Sequence, residues 1–282
     1  MGVELSLQRL QANLKTSARM PLVFLGHGSP MNAIEDTAFS RSWTELGRIL
    51  PRPQAILVVS AHWMTRGTTL VDVSPRPRII HDFYGFPDAL YAQQYPAQGD
   101  PELAAEVVTL LAEHRAQGDN SWGLDHGAWT LLKFLYPAAD MPVFQLSVDL
   151  SKPLRWHLDL GKTLSSLRDR GVLILGSGNL VHNLSALRYD GNPHDWALEF
   201  DHQVAERLIG RDFNALSDQG SSVPRANKET GDLMRLAHPT LEHYIPALTI
   251  AGASRAKDEL YFTTEGISLG SLSMRSFVFH GS

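Results

Sequence analysis

The chain is 282 residues long, contains no cysteine, and carries 25 Lys and Arg against 30 Asp and Glu, a net charge of -5. These figures exclude a disulfide framework, a thiolate zinc site, an iron–sulfur cluster and a thiol nucleophile, and they give no electrostatic reason for nucleic acid or an anionic membrane as partner. Any metal must be held by His, Asp or Glu, and the length suits one large α/β domain burying about 75% of its unfolded surface.

At the start, Leu5, Leu7, Leu10 and Leu14 alternate with Gln8, Arg9, Gln11 and Lys15. That spacing predicts an amphipathic helix, not a signal peptide, and no run of eighteen apolar residues follows, so a soluble cytoplasmic protein is expected. Residues 1–19 read as a helical extension and 20–282 as one catalytic domain. A strand is expected over 22–26, a helix over 37–48 closed by Pro51 and Pro53, and a strand over 55–60 as the second beat of a βαβ unit. Residues 68–73 read as a further strand. The segment 75–87 reads as loop, with the cluster Ile80-His81-Asp82-Phe83-Tyr84-Gly85-Phe86-Pro87. Helices over 101–114, 128–135, 153–168 and 193–208 alternate with strands over 143–148 and 172–175. From Tyr261 to Phe279, short alternating runs with glycines predict antiparallel strands at one edge. The expected fold is a single α/β domain with a mostly parallel or mixed central sheet, helices on both faces and antiparallel C-terminal strands.

Three of the apolar runs end in a histidine on small or polar residues: LVFLGH to His27, ILVVSAH to His62, and LILGSGNLVH to His182. Ligands of open α/β sheets gather outside the strands' carboxyl ends, so the three imidazoles are placed to converge and to bind a first-row metal such as Zn or Fe. Taken singly, each could equally be a hydrogen-bonded core residue. Other motifs fail. Gly161-Lys162-Thr163 lacks the glycine of a phosphate loop, because Trp156 stands in its place, and neither Gly26-His27-Gly28-Ser29 nor Gly176-Ser177-Gly178 completes a hydrolase elbow or a dinucleotide fingerprint.

Two further candidates are His126 in Asp125-His126-Gly127 and His243 in Glu242-His243-Tyr244-Ile245-Pro246. Together, GHGSPM, SAHW, IHDFYGFP, DHG, GNLVHNL and EHYIPAL resemble the class III (LigB-type) extradiol ring-cleaving dioxygenases, in the 4,5-DOPA extradiol dioxygenase branch, from about Met20 to the C-terminus. The resemblance implies that His27, His62 and His243 hold one divalent metal. It implies that His182 is the acid/base group, close enough to coordinate when zinc is bound, and that His126 orients substrate or O2. Better-known relatives use a glutamate as third ligand, and this branch His243, so Glu242 is expected to point elsewhere. The implied partners are a small aromatic diol and O2, with Fe(II) for dioxygenase activity or Zn(II) as the isolated metal. Three histidines also make a catalytic zinc set, which leaves a zinc hydrolase and a non-catalytic binding protein of the same fold as rival readings.

The remaining histidines divide. His114, His157, His194 and His202 lie in or beside charged helices and are expected at the surface, and His238 is the one that could substitute as ligand. His81 belongs either to a lid or pocket wall, with Tyr84 and Phe86 against an aromatic ring, or to a packed loop.

Overall fold

The computed structural model describes residues 2–14, 19–218 and 228–281. Its strands in chain order are β1 Leu22–Gly26, β2 Ala55–Thr65, β3 Thr69–Asp72, β4 Ala116–Asp119, β5 Val143–Asp149, β6 Val172–Gly178, β7 Glu259–Thr264, β8 Ile267–Ser268, β9 Leu272–Ser273 and β10 Ser276–His280. Eight of them form one mixed sheet in the order β4-β3-β5-β2-β6-β1-β10-β7, and β8 pairs with β9 in a small antiparallel ribbon. The centre, β5-β2-β6-β1, is parallel, with antiparallel pairing to β10 and then β7 on one side and to β3 on the other.

Both faces of the central strands are covered, which is why β1, the first half of β2 and the start of β6 read as continuous apolar runs. In β1 and β2, Leu22, Phe24, Leu57 and Val59 belong to one core layer, and Val23, Leu25, Ile56 and Val58 to the other. The first layer holds the helices Leu154–Leu164, Asp195–Ile209 and Ile245–Ala253; the second holds Ala38–Ile49 and His126–Leu135. Helix Ile245–Ala253 is buried on every side. It lies so close to Leu154–Leu164 that a Cβ on Gly161 would fall 2.1 Å from the Thr249 carbonyl oxygen. Gly161, the glycine of the failed phosphate motif, is therefore a helix-contact residue.

Several elements depart from the expected ones. Strand β2 runs on to Thr65: its pairing with β6 ends at Ser60, its register with β5 breaks between Val59 and Met64, and His62 sits in that break. The helices expected over 101–114 and 153–168 finish in 3-10 turns, Ala112–His114 and Ser165–Arg170. His157 is not at the surface: it is 2% exposed, its Nε2 3.1 Å from the Asp149 carbonyl oxygen, because it occupies the apolar stripe of its helix. His114 and His194 are half-buried, and only His202 is exposed. Among the described residues no helix is long and apolar enough to cross a membrane.

Candidate metal centre

Three chain segments deliver imidazoles to one place beyond the parallel strands. His27 directly follows β1, its backbone N–H donating to the Gly178 carbonyl at the end of β6. His62 stands in the register break of β2. His243 precedes the helix Ile245–Ala253, and its carbonyl accepts the Asn179 backbone N–H. Its seat requires a glycine: a Cβ on Gly178 would lie 2.2 Å from that same carbonyl oxygen. One ring nitrogen from each of His27, His62 and His243 lies within 4.8 Å of the other two.

The outer ring nitrogens are committed to acceptors. Ser177 Oγ donates its hydrogen to the Gly127 carbonyl at 2.7 Å, so toward His27 Nδ1, 2.9 Å away, it can only accept. His62 Nδ1 lies 3.0 Å from Asp82 Oδ2, and His243 Nδ1 donates to Glu242 Oε1 at 3.1 Å. With their protons on Nδ1, the neutral rings turn bare Nε2 lone pairs inward. His27 Nε2 and His62 Nε2 stand 3.2 Å apart, a repulsive contact unless a proton or a metal ion lies between them. Two nitrogens each about 2.0–2.1 Å from one tetrahedral ion stand about 3.3–3.4 Å apart, so the donor set fits a divalent metal.

Asp82 ties the cluster to His126. Its Oδ1 accepts the His126 backbone N–H at 2.9 Å and lies 3.0 Å from His126 Nδ1, off the hydrogen-bond direction. The loop is aimed by the Ile79–Leu124 bridge and by Trp129 Nε1 donating to the Ile80 carbonyl at 3.0 Å. Asp125 caps the helix His126–Leu135 and also accepts from Ser60 and Gln145, filling the space beneath with a polar network.

Burial and mutual repulsion govern the charges. Burial, reinforced by His62, pushes the His27 imidazole well below its ordinary range, and burial with His182 does the same to His243. For His62, burial is outweighed by Asp82 and the value is raised. Burial works against ionisation of Asp82 too, but His126 and His62 hold its carboxyl far below the usual carboxylate range. His182 is pushed down to about 3 by burial and by His238. Its ring lies flat on His243, centroids 3.4 Å apart and planes 5° from parallel. His182 is thus a stacked neighbour of the three-histidine group, and His126 faces His62 with centroids 4.1 Å apart.

Above the cluster lies a cavity of about 680 Å³ whose wall includes Met31, Phe39, Phe83, Tyr84, Phe86, Leu184 and Tyr189. His81 is not part of it. It packs against Trp129 and Phe83 with Nε2 3.1 Å from the Gln93 carbonyl, so the segment is a packed loop beneath and a pocket wall above. His238 is turned away as well, its Nε2 2.8 Å from the Leu180 carbonyl. Glu242 Oε1 receives hydrogens from Thr240 Oγ1, at 2.8 Å, and from the outer ring nitrogen of His243, Nδ1, so it orients that imidazole from behind and is not part of the cavity wall. Sequence reasoning passed over Asp82, Ser177 and Asp125 as functional groups; the only signal was their adjacency to the histidine motifs.

Residues 21–237 match the family described as the catalytic LigB subunit of aromatic ring-opening dioxygenase. The chain belongs to the LigB family. The matched span contains His27, His62, His126 and His182 and stops short of His243. Among LigB relatives, the 4,5-DOPA dioxygenase extradiol of Escherichia coli (strain K12) is 47% identical over 266 residues, covering 93% of this chain and 96% of that protein. The protein of the same name from Beta vulgaris is 38% identical over 241 residues, 82% of this chain and 85% of its own. A crystal structure of an uncharacterized protein from E. coli K12 superposes with a TM-score of 0.79 at 41% identity, covering 93% of this chain and 100% of that one. By family the chain is a LigB-type ring-cleaving dioxygenase, and its mixed sheet is the architecture of that structural neighbour.

Proposed function

We propose that the protein cleaves the ring of a small catechol, DOPA-like in character, with O2 at one divalent metal held by His27, His62 and His243. The observation that carries this reading is the set of three inward Nε2 lone pairs on the floor of an aromatic-walled cavity. The metal would bring diol and O2 together and supply the electron transfer that ring opening requires. Three protein ligands leave it positions open.

The chain's own residues do the rest. Phe83 and Phe86 present apolar faces to a flat ring and exclude water from it. His182, stacked on His243, is placed to accept the proton a diol hydroxyl must lose, at a ring nitrogen beside the proposed ligands. His126, fixed by Asp82 through its backbone, orients the substrate from the opposite side. Both oxygen atoms of O2 enter the product, a ring-opened muconic semialdehyde.

The test is anaerobic loading with Fe(II) and then with Zn(II), followed by oxygen-electrode measurements with DOPA, catechol and 4-methylcatechol. O2 uptake matched by a yellow semialdehyde in the iron form alone is expected. No uptake with any catechol, together with ester hydrolysis by the zinc form, would replace this reading by that of a zinc hydrolase.

A further inference from the structure

The cavity wall carries a charge pattern that the ring-opening chemistry does not use. Two of its lining residues are carboxylates, Asp82 and Glu35, and none is Lys or Arg. Both oxygens of Asp82 are engaged, Oδ2 beside His62 Nδ1 and Oδ1 by the His126 backbone N–H. Glu35 is exposed, and its carboxylate has no ion-pair partner among the described residues. Its backbone is fixed: the N–H donates to the Met31 carbonyl, and its own carbonyl accepts Ser40 Oγ at 2.9 Å. Tyr84 and Tyr189, 92% and 83% exposed, line the same cavity, and aromatic faces attract ammonium groups. Two cations line a neighbouring hollow that Glu35 also borders, and both are engaged: Arg41 pairs with Asp36 at 2.9 Å, and Lys133 Nζ donates to the Ala33 carbonyl at 2.9 Å and to Gln93 Oε1. The stem of Arg188 lies against Gly270, and Arg188 is not among the residues of the catechol cavity wall.

We propose that this cavity selects catechols whose side chain bears a protonated amine and rejects those bearing only a carboxylate, with Glu35 as the residue that makes the distinction. The proposal rests on the reading of the cavity as a catechol site. An ammonium group entering beside Glu35 gains a counter-ion and two aromatic faces. A carboxylate entering there meets like charge and no cationic donor, while losing part of its hydration. For a diol carrying both groups, the amine would lie toward Glu35 and the acid toward solvent.

The experiment compares three catechols with the same ring: dopamine, 4-methylcatechol and 3,4-dihydroxyphenylpropanoate. Their dissociation constants from the zinc-loaded protein are measured by calorimetry, and kcat/KM from the iron-loaded protein by O2 uptake. Binding should be tightest for the amine, intermediate for the neutral compound and weakest for the acid. Glu35→Gln should reduce the amine-over-neutral preference about two- to fivefold, an effect that added salt diminishes. A merely structural lesion would weaken both ligands together and leave the ratio unchanged. Equal or tighter binding of the acid, or a ratio unmoved by Glu35→Gln, overturns the proposal. If the binding order holds but no catechol consumes O2, the dioxygenase reading fails and this one stands; if none of the three binds, both fall.

Discussion

Asp82→Asn is a near-isosteric change that separates the geometry of the site from its charge. In the parent protein Oδ1 accepts the His126 backbone N–H at 2.9 Å while Oδ2 faces His62 Nδ1 at 3.0 Å. An amide has only one acceptor oxygen. The fixed backbone N–H claims it, and the NH2 group is then set against the hydrogen on His62 Nδ1. His62 relieves the conflict by moving its proton to Nε2, the nitrogen that faces His27 at 3.2 Å and that a metal requires bare. Loss of such an orienting partner costs about 10- to 100-fold in metal affinity, or about 1.4–2.7 kcal/mol. Asp82→Ala, which lets water accept from Nδ1, should lose less than Asp82→Asn although it removes more atoms. Zinc affinity measured by chelator competition, alongside thermal melts of the metal-free forms, tests this. An Asn variant that binds zinc as tightly as the parent, or an Ala variant that binds it worse than Asn, would refute the tautomer argument.

His62→Ala should empty the site, whereas His182→Ala should keep the metal and lower turnover by about 10²–10⁴-fold; equal metal loss in both, measured by elemental analysis, would make His182 a ligand. The fully buried Arg168 holds Asp258 through two bonds of 2.6 and 3.1 Å. Asp258→Asn should therefore cost about 3–5 kcal/mol in urea unfolding, and a loss under about 1 kcal/mol would contradict a desolvated pair. Burial pushes the His157 imidazole from its ordinary 6.5 down to about 4. Between those values the unfolded chain binds more protons, so stability present above pH 6.5 is lost as pH falls toward 4, by about 3 kcal/mol in all. His157→Gln, which retains a donor for the Asp149 carbonyl, should show a shallower loss across that window; parallel curves for parent and variant would dismiss His157 as a source of acid sensitivity.

The parallel core was legible because strands covered on both faces are largely apolar, and β1 and β6 begin where their aliphatic runs begin. Strand β4, Ala116-Gln117-Gly118-Asp119, was not: it carries no apolar alternation and exists through its pairing with β3. The helix Ile245–Ala253 was missed for the opposite reason, since burial on all sides erases amphipathic periodicity. At the site, histidines at strand ends marked where metal ligands could collect. The acceptors that set their tautomers were hidden, because a carboxylate such as Asp82 reaches His62 only through a loop whose path depends on Trp129 and the Ile79–Leu124 bridge. His157 misled because its charged neighbours describe the other face of the helix.

The position of β1 between β6 and β10 has a consequence for biosynthesis. The Gly26 backbone N–H donates at 3.1 Å to Ser276 Oγ, a partner 250 residues later in the chain. During synthesis β1 therefore waits with one side unpaired, an apolar template for wrong strands, until the last strand of the sheet has been made. His27 and His62 are made early and His243 late, so the proposed donor set of three imidazoles is incomplete until residue 243 has been made, and an ion that needs all three waits for the late part of the chain.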